Sequence, residues 1–198
     1  MPLLIGYASH DMSLMLVDDP RYDTITEAQL LERLISAHGE AALARLADLK
    51  ASYPAEEPRR WLARVMTDDT MRLGALRTAD RKAQQPAPVF VYEFGYQTPI
   101  LGNLFGATHS LDLPFVFHNV WRSPFTGELP DRYAVSDAMA ASWAAFARTG
   151  DPNNDRIPAW GRYRPEQRTT MFISTTWHDY ISPDPASLGS PRSGIFDW

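Results

Sequence analysis

Two short apolar runs set what this chain can fold into. Leu3-Leu4-Ile5-Gly6-Tyr7 shows no polar alternation, and Val89-Phe90-Val91-Tyr92-Glu93-Phe94 is built mainly from β-branched and aromatic residues. Runs of this kind are strands covered on both faces rather than on one. The long segment between them is patterned as helix. Strands joined through helices pair in parallel, because a crossover rather than a tight turn connects them. The sequence therefore predicts an α/β fold of parallel strands with crossover helices. The first strand begins at residue 3 with nothing upstream in the chain to lie beside it, so the sheet is expected to be incomplete.

The helices follow from start and stop signals. Residues 24–38 read as one, with Thr24 and Glu27 at capping-box spacing, Gly39 as its end, and Leu30, Leu31, Leu34 and Ile35 as its buried stripe. His38 falls in the last turn, where the helix dipole favours a cation, and reads as structural. A second helix covers about 40–50, and Tyr53-Pro54 is a turn. Residues 56–84 are helical again, with Trp61, Val65, Leu73 and Leu76 inward and a break near Thr67-Asp68-Asp69 whose acidic pair would cap the second half. After the second strand, residues 131–149 form a helix with Val135, Met139, Trp143 and Phe146 on one side, stopped by Gly150-Asp151-Pro152-Asn153. Residues 170–174 are a last short strand. Residues 183–198, rich in Pro, Ser and Gly, read as a flexible tail, which leaves 1–182 as one domain.

Composition narrows the class of function. A net charge of −5 argues against a general nucleic-acid or membrane-surface binder. No apolar stretch approaches the roughly 20 residues needed to span a bilayer. Zero cysteines exclude disulfides, thiolate chemistry and cysteine-ligated zinc, and leave the compartment open. No signal segment precedes the first strand, so a chain complete as given would be cytoplasmic. Six tryptophans, eight tyrosines, nine phenylalanines and 16 prolines are many for 198 residues and fit part of a larger aromatic core. Apolar surface left uncovered would favour self-association.

The residues with most chemical promise lie in Gly106-Ala107-Thr108-His109-Ser110-Leu111-Asp112-Leu113-Pro114-Phe115-Val116-Phe117. Small neighbours allow a tight turn and leave one face of an imidazole reachable, and imidazole is the usual general base near neutral pH. A loop histidine bound to backbone has the same pattern, so spacing alone leaves both readings open. A metal site built from His10, His109 and His118 with Asp11 or Asp112 has little support, because no His-x-x-x-His or similar helical spacing occurs. Adjacent carboxylates such as Asp68 and Asp69 are a weak metal signal.

Five ordered blocks resemble the C-terminal part of the type-B carboxylesterases, the cholinesterase-like branch of the α/β-hydrolases. They are Pro2-Leu3-Leu4-Ile5-Gly6 through Met15; residues 89–94; the His109 motif through Phe117; Trp143-Ala144-Ala145-Phe146-Ala147-Arg148-Thr149-Gly150-Asp151-Pro152-Asn153; and Pro158-Ala159-Trp160. The resemblance implies a carboxylic ester hydrolase acting on small molecules, with no cofactor and no metal. It makes His109 the general base and Asp11 the triad acid, where the family usually has Glu preceded by Asp. His10 stands in place of that preceding Asp and is expected to face solvent. Asp112, three residues after His109, is a rival for the acid, though at that spacing it is expected to cap or brace the turn, and His118 to mark the polar end of the apolar run. Pro99, Ile100, Leu101 and Phe105 are expected on one wall of a substrate pocket.

One part of the family's pattern is missing. The fold places its nucleophile in Gly-x-Ser-x-Gly upstream of the acid and the histidine. Here the one glycine pair at that spacing, Gly102 and Gly106, encloses Leu104. The oxyanion-hole glycines are missing as well. The chain is thus expected to be the last third or so of an esterase, through an internal start or a frameshift, and to be inactive alone. The alternative is a non-catalytic binding or pseudoenzyme module of the same fold.

Overall fold

The computed structural model describes residues 1–183. In chain order the elements are β1 (Leu3–Ala8), α1 (Ser13–Leu16), α2 (Glu27–His38), α3 (Ala42–Ser52), α4 (Pro58–Thr67) and α5 (Leu73–Ala83). There follow β2 (Val89–Phe94), the single turns α6 (Ile100–Asn103) and α7 (Leu113–Val116), the long α8 (Asp131–Thr149), β3 (Thr169–Ile173) and β4 (Trp177–Ile181). The strands form one open sheet in the order β1-β2-β3-β4, with β1 at its edge. β1 and β2 pair in parallel from Leu3 opposite Val89 to Ala8 opposite Phe94, and β2 and β3 are also parallel. β4 returns antiparallel to β3. It was not foreseen, because Trp177-His178-Asp179-Tyr180-Ile181 is polar and largely open, the pattern of an edge strand rather than a core one.

Helices cover both faces of the sheet. On one face Val89 and Val91 pack with Leu76 and Ala79 of α5 and with Tyr163. On the other, Phe90, Phe94, Met171 and Ile173 pack with Phe115 of α7 and Val135 and Met139 of α8. The Gly-Asp-Pro-Asn stop works through two devices. Gly150 ends α8 at φ 78°, its N–H donating to the Phe146 carbonyl at 2.7 Å. Asn153 then holds the backbone of Trp160 from both sides, at 2.7 and 3.1 Å, which seats that indole edge-on to Phe90.

A separate core of Met12, Leu16, Tyr22, Leu30, Leu34, Leu46, Trp61 and Val65 binds α1 to α4 into a helical layer beside the end of β1. Here the sequence reading needs three corrections. The capping box of α2 is Thr26 with Gln29, not Thr24 with Glu27. Starting there puts Ile25 and Leu30 in the same buried cluster, at the positions of a hydrophobic staple. The buried stripe of α2 is then Leu30, Leu34 and His38, while Leu31 is only half-buried and Ile35 is 51% exposed. The expected break at Thr67-Asp68-Asp69 is no break: the helix runs on through a π turn at Asp68–Arg72. Asp69 there lies 2.9 Å from Arg45 and 3.0 Å from His38, and Asp68 lies 3.6 Å from Arg72, so the pair serves ion pairing rather than capping. In α8, Trp143 and Phe146 are half-buried, with Ser142 and Ala145 inside them. Of the tail expected at 183–198, residues 184–198 lie outside the described residues.

Candidate functional site

The C-terminal ends of β1 and β2 lie side by side, which is where open α/β sheets gather their chemistry. β1 stops at Ala8, and the chain turns so that Ser9 still donates its N–H to the Phe94 carbonyl at 2.9 Å. Asp11 is pinned at once, because one of its carboxylate oxygens accepts the Ala8 N–H at 3.0 Å. Its other oxygen faces the loop that follows β2.

That loop is fastened to the β1 loop at several points. His10 donates its N–H to the Ala107 carbonyl at 2.9 Å, and Ala107 returns its own N–H to His10 Nδ1 at 3.4 Å. Ser13 donates its hydroxyl to the Phe105 carbonyl at 2.6 Å and lies 2.7 Å from the Thr108 hydroxyl. Gly106 passes between these groups at φ 62°, where a Cβ would come within 2.8 Å of His10 Nδ1 and 2.5 Å of Arg60 Nη1. Only glycine fits there without moving both. Neither Ser13 nor Thr108 was singled out from the sequence, since lone hydroxyl residues beside apolar runs carry no periodic signal.

The result of this fastening is contact across 98 positions: His109 Nδ1 lies 2.6 Å from Asp11 Oδ1. The turn carrying His109 closes with the Leu111 N–H on the Thr108 carbonyl at 3.2 Å. Ser110 within it sits at φ 61°, a region a non-glycine residue enters at a cost of about 1–2 kcal/mol. Asp11 can accept only from a protonated Nδ1, which leaves Nε2 as the basic nitrogen. Nε2 has no hydrogen-bond partner among the described residues, and the side chain is 42% exposed.

Among the described residues four of the five histidines face a carboxylate, so pairing alone does not single out a site. His10 and His38 are fully buried, with Glu56 and Asp69 as partners. His118 and Asp137, 2.5 Å apart, are both open to solvent. Only His109 combines an accessible ring with a carboxylate that is itself 9% exposed.

His10 is the clearest correction to the sequence reading, since it was expected to face solvent. Its Nδ1 accepts from Ala107, so Nε2 carries the proton and donates to Glu56 Oε1 at 3.1 Å. Burial, with the charge of Arg64 beside it, pushes its pKa down to about 4 despite Glu56. Burial favours a protonated Glu56, but hydrogen bonds from His10 and Arg64 override that and hold it near about 2. Arg64 grips Glu56 with two bonds, at 2.8 and 2.7 Å, and lies 3.6 Å from Glu93, which also accepts the Ser9 hydroxyl at 2.6 Å.

Asp112 braces the turn from the other side, where its carboxylate accepts the Tyr92 hydroxyl at 3.1 Å. His118 ends the apolar run as expected, at the surface. The expected pocket wall is divided: Phe105 is buried against Phe125, whereas Leu101 is 72% exposed. Among the described residues no group of His, Asp and Glu is arranged to hold a metal ion, and no helix is long and apolar enough to cross a membrane.

An open, mostly parallel sheet with helices on both faces, and polar loops gathered where its strands end, is the arrangement of the α/β-hydrolase fold. The profile of the carboxylesterase family matches residues 1–182, and the chain belongs to that family. Its relatives include phenmedipham hydrolase of Pseudarthrobacter oxydans, 27% identical over 94% of this chain and 39% of that protein. Para-nitrobenzyl esterase of Bacillus subtilis is 28% identical over 94% and 36%. The crystal structure of Geobacillus stearothermophilus carboxylesterase EST55 at pH 6.2 superposes with a TM-score of 0.74 at 34% identity, covering 95% of this chain and 40% of that one. The chain thus spans about two fifths of the length of these relatives.

Proposed function

We propose that this chain carries the acid and the base of a serine carboxylesterase, Asp11 and His109, and that the nucleophile and oxyanion donors come from outside it. The observation behind this is the 2.6 Å contact from Asp11 to His109 Nδ1, with Nε2 left without a protein partner. In the assembled enzyme, Nε2 takes the proton from a serine hydroxyl as its oxygen attacks the ester carbonyl. Asp11 stabilises the imidazolium so formed. The same proton then passes to the departing alcohol, and a water activated by His109 releases the acid from the acyl-enzyme. The substrate is a small carboxylic ester.

On this reading residues 1–182 are the C-terminal part of a longer hydrolase domain, and the chain alone is inactive. The 198 residues hold no Gly-x-Ser-x-Gly, and oxyanion donors typically supply the largest share of transition-state stabilisation. Aspartate in place of the family's usual glutamate is served by the short path from Ala8, which brings the carboxylate close enough to bond directly.

A chimera tests this. Residues 1–182 replace the matching C-terminal part of the Geobacillus carboxylesterase, and hydrolysis of a p-nitrophenyl ester is followed. The expected result is turnover that falls by about 10⁴-fold or more on His109→Ala, with the chain alone at background. Turnover by the purified chain alone that vanishes in His109→Ala would refute the divided assignment. An active chimera indifferent to His109 would refute the base.

A further inference from the structure

A cavity of about 220 Å³ opens between the start of α4 and the loop after β2, lined in part by Glu56, Glu57, Arg59, Arg60, Gln97 and Asn103. Arg60 is 6% exposed, yet among the described residues its guanidinium hydrogen-bonds only neutral acceptors, Gln97 Oε1 at 3.4 Å and the Asn103 carbonyl, with the charge of Glu56 acting on it without a bond. The two carboxylates on the wall are engaged elsewhere. Glu56 holds Arg64 and His10, and Glu57 holds Arg59 at 2.8 Å.

One further donor at the cavity is unmatched: Arg59 Nε is buried without a partner, although Asp23 and Glu57 hold the other two nitrogens of that guanidinium. α4 begins after Glu57, whose side chain makes no capping bond, so the first backbone N–H groups of the helix gain no side-chain acceptor there. Asn103 Oδ1, buried with no donor, offers the complementary acceptor. A buried guanidinium is ordinarily matched by a carboxylate, whose two oxygens fit its planar fork.

We propose that this cavity binds a small carboxylate that also carries a hydroxyl, with Arg60 holding the carboxylate and Asn103 Oδ1 accepting from the hydroxyl. Gln97 steadies the guanidinium and Asn103 together, since its Oε1 also accepts the Asn103 amide at 2.8 Å. The site is independent of the esterase reading, because none of its groups belongs to the Asp11–His109 pair.

The probe is malate, with its uncharged diamide, malamide, as control, titrated into the purified chain by calorimetry and by amide chemical shifts. Malate is expected to bind saturably, malamide at least tenfold more weakly, and the shifts to centre on Arg60, Gly102 and Asn103. Arg60→Gln should lower malate affinity at least tenfold, and Arg60→Lys by less, since it keeps the charge without the fork. Removing a buried charge can itself perturb the fold, so the comparison of malate with malamide on the unaltered chain stands alone. No saturable malate binding, equal binding of malamide, shifts centred elsewhere, or full affinity in a folded Arg60→Gln variant would each overturn the proposal.

Discussion

Residues 10 and 11 are neighbours in the chain, yet their side chains enter opposite electrostatic settings. His10 points into the protein, where Ala107, Glu56 and, through Glu56, Arg64 satisfy both ring nitrogens. Asp11 points across to a histidine whose second nitrogen is open. Both are histidine–carboxylate pairs within hydrogen-bond reach, at 3.1 and 2.6 Å. The buried one has no free valence left and can only hold the loops together; the half-exposed one keeps a basic nitrogen available. The difference lies in what remains unsatisfied rather than in which residues are present.

The comparison predicts its largest effect in the buried pair. Glu56→Ala strips the carboxylate from Arg64 and His10 together and should destabilise the chain by about 3–5 kcal/mol in urea unfolding. A loss below about 1 kcal/mol would show that the buried network is not what holds the two loops.

Acid should dissolve the same network. His10 has its pKa lowered from 6.5 to about 4, so the unfolded chain takes up its proton first, and stability is lost as pH falls through that window. Glu56, lowered from 4.5 to about 2, adds a further loss at lower pH, in the same direction. His10→Gln keeps an acceptor and a donor but cannot titrate. It should flatten the upper window by roughly 2 kcal/mol when unfolding is measured from pH 7 to pH 4. An unchanged pH profile would remove His10 from the buried, neutral role.

The open pair should contribute least to stability. His109→Ala is expected to lower unfolding free energy by about 1 kcal/mol, because the ring is 42% exposed and makes one hydrogen bond, and the Asp11 carboxylate keeps the Ala8 N–H when the ring is lost. A large loss would place His109 with the structural histidines.

Much of this was legible in residue order. The strand read at 3–7, which runs one residue further to Ala8, the strand at 89–94 and the helix ended by Gly150 follow from apolar runs and stop signals, and the loops bearing Asp11 and His109 from the family resemblance. What escaped was set by contacts between segments far apart in sequence. Nothing local marks His10 as buried, because Glu56 and Ala107, its partners, lie 46 and 97 positions away. Asp68 and Asp69 looked like a helix break only because His38 and Arg45, which call for those charges, sit on other helices. β4 was missed because an exposed edge strand lacks the apolar alternation that would reveal it.

The most direct measurement is the tautomer of His109, read from its imidazole ¹⁵N shifts in the unaltered chain above the pH at which the ring loses its charge. With Asp11 holding the proton on Nδ1, the ring should be the Nδ1–H tautomer with Nε2 as the free base, and Asp11→Asn should remove that preference. A ring protonated on Nε2, or one whose tautomer ignores Asp11→Asn, would contradict the assignment of Asp11 and His109 as acid and base.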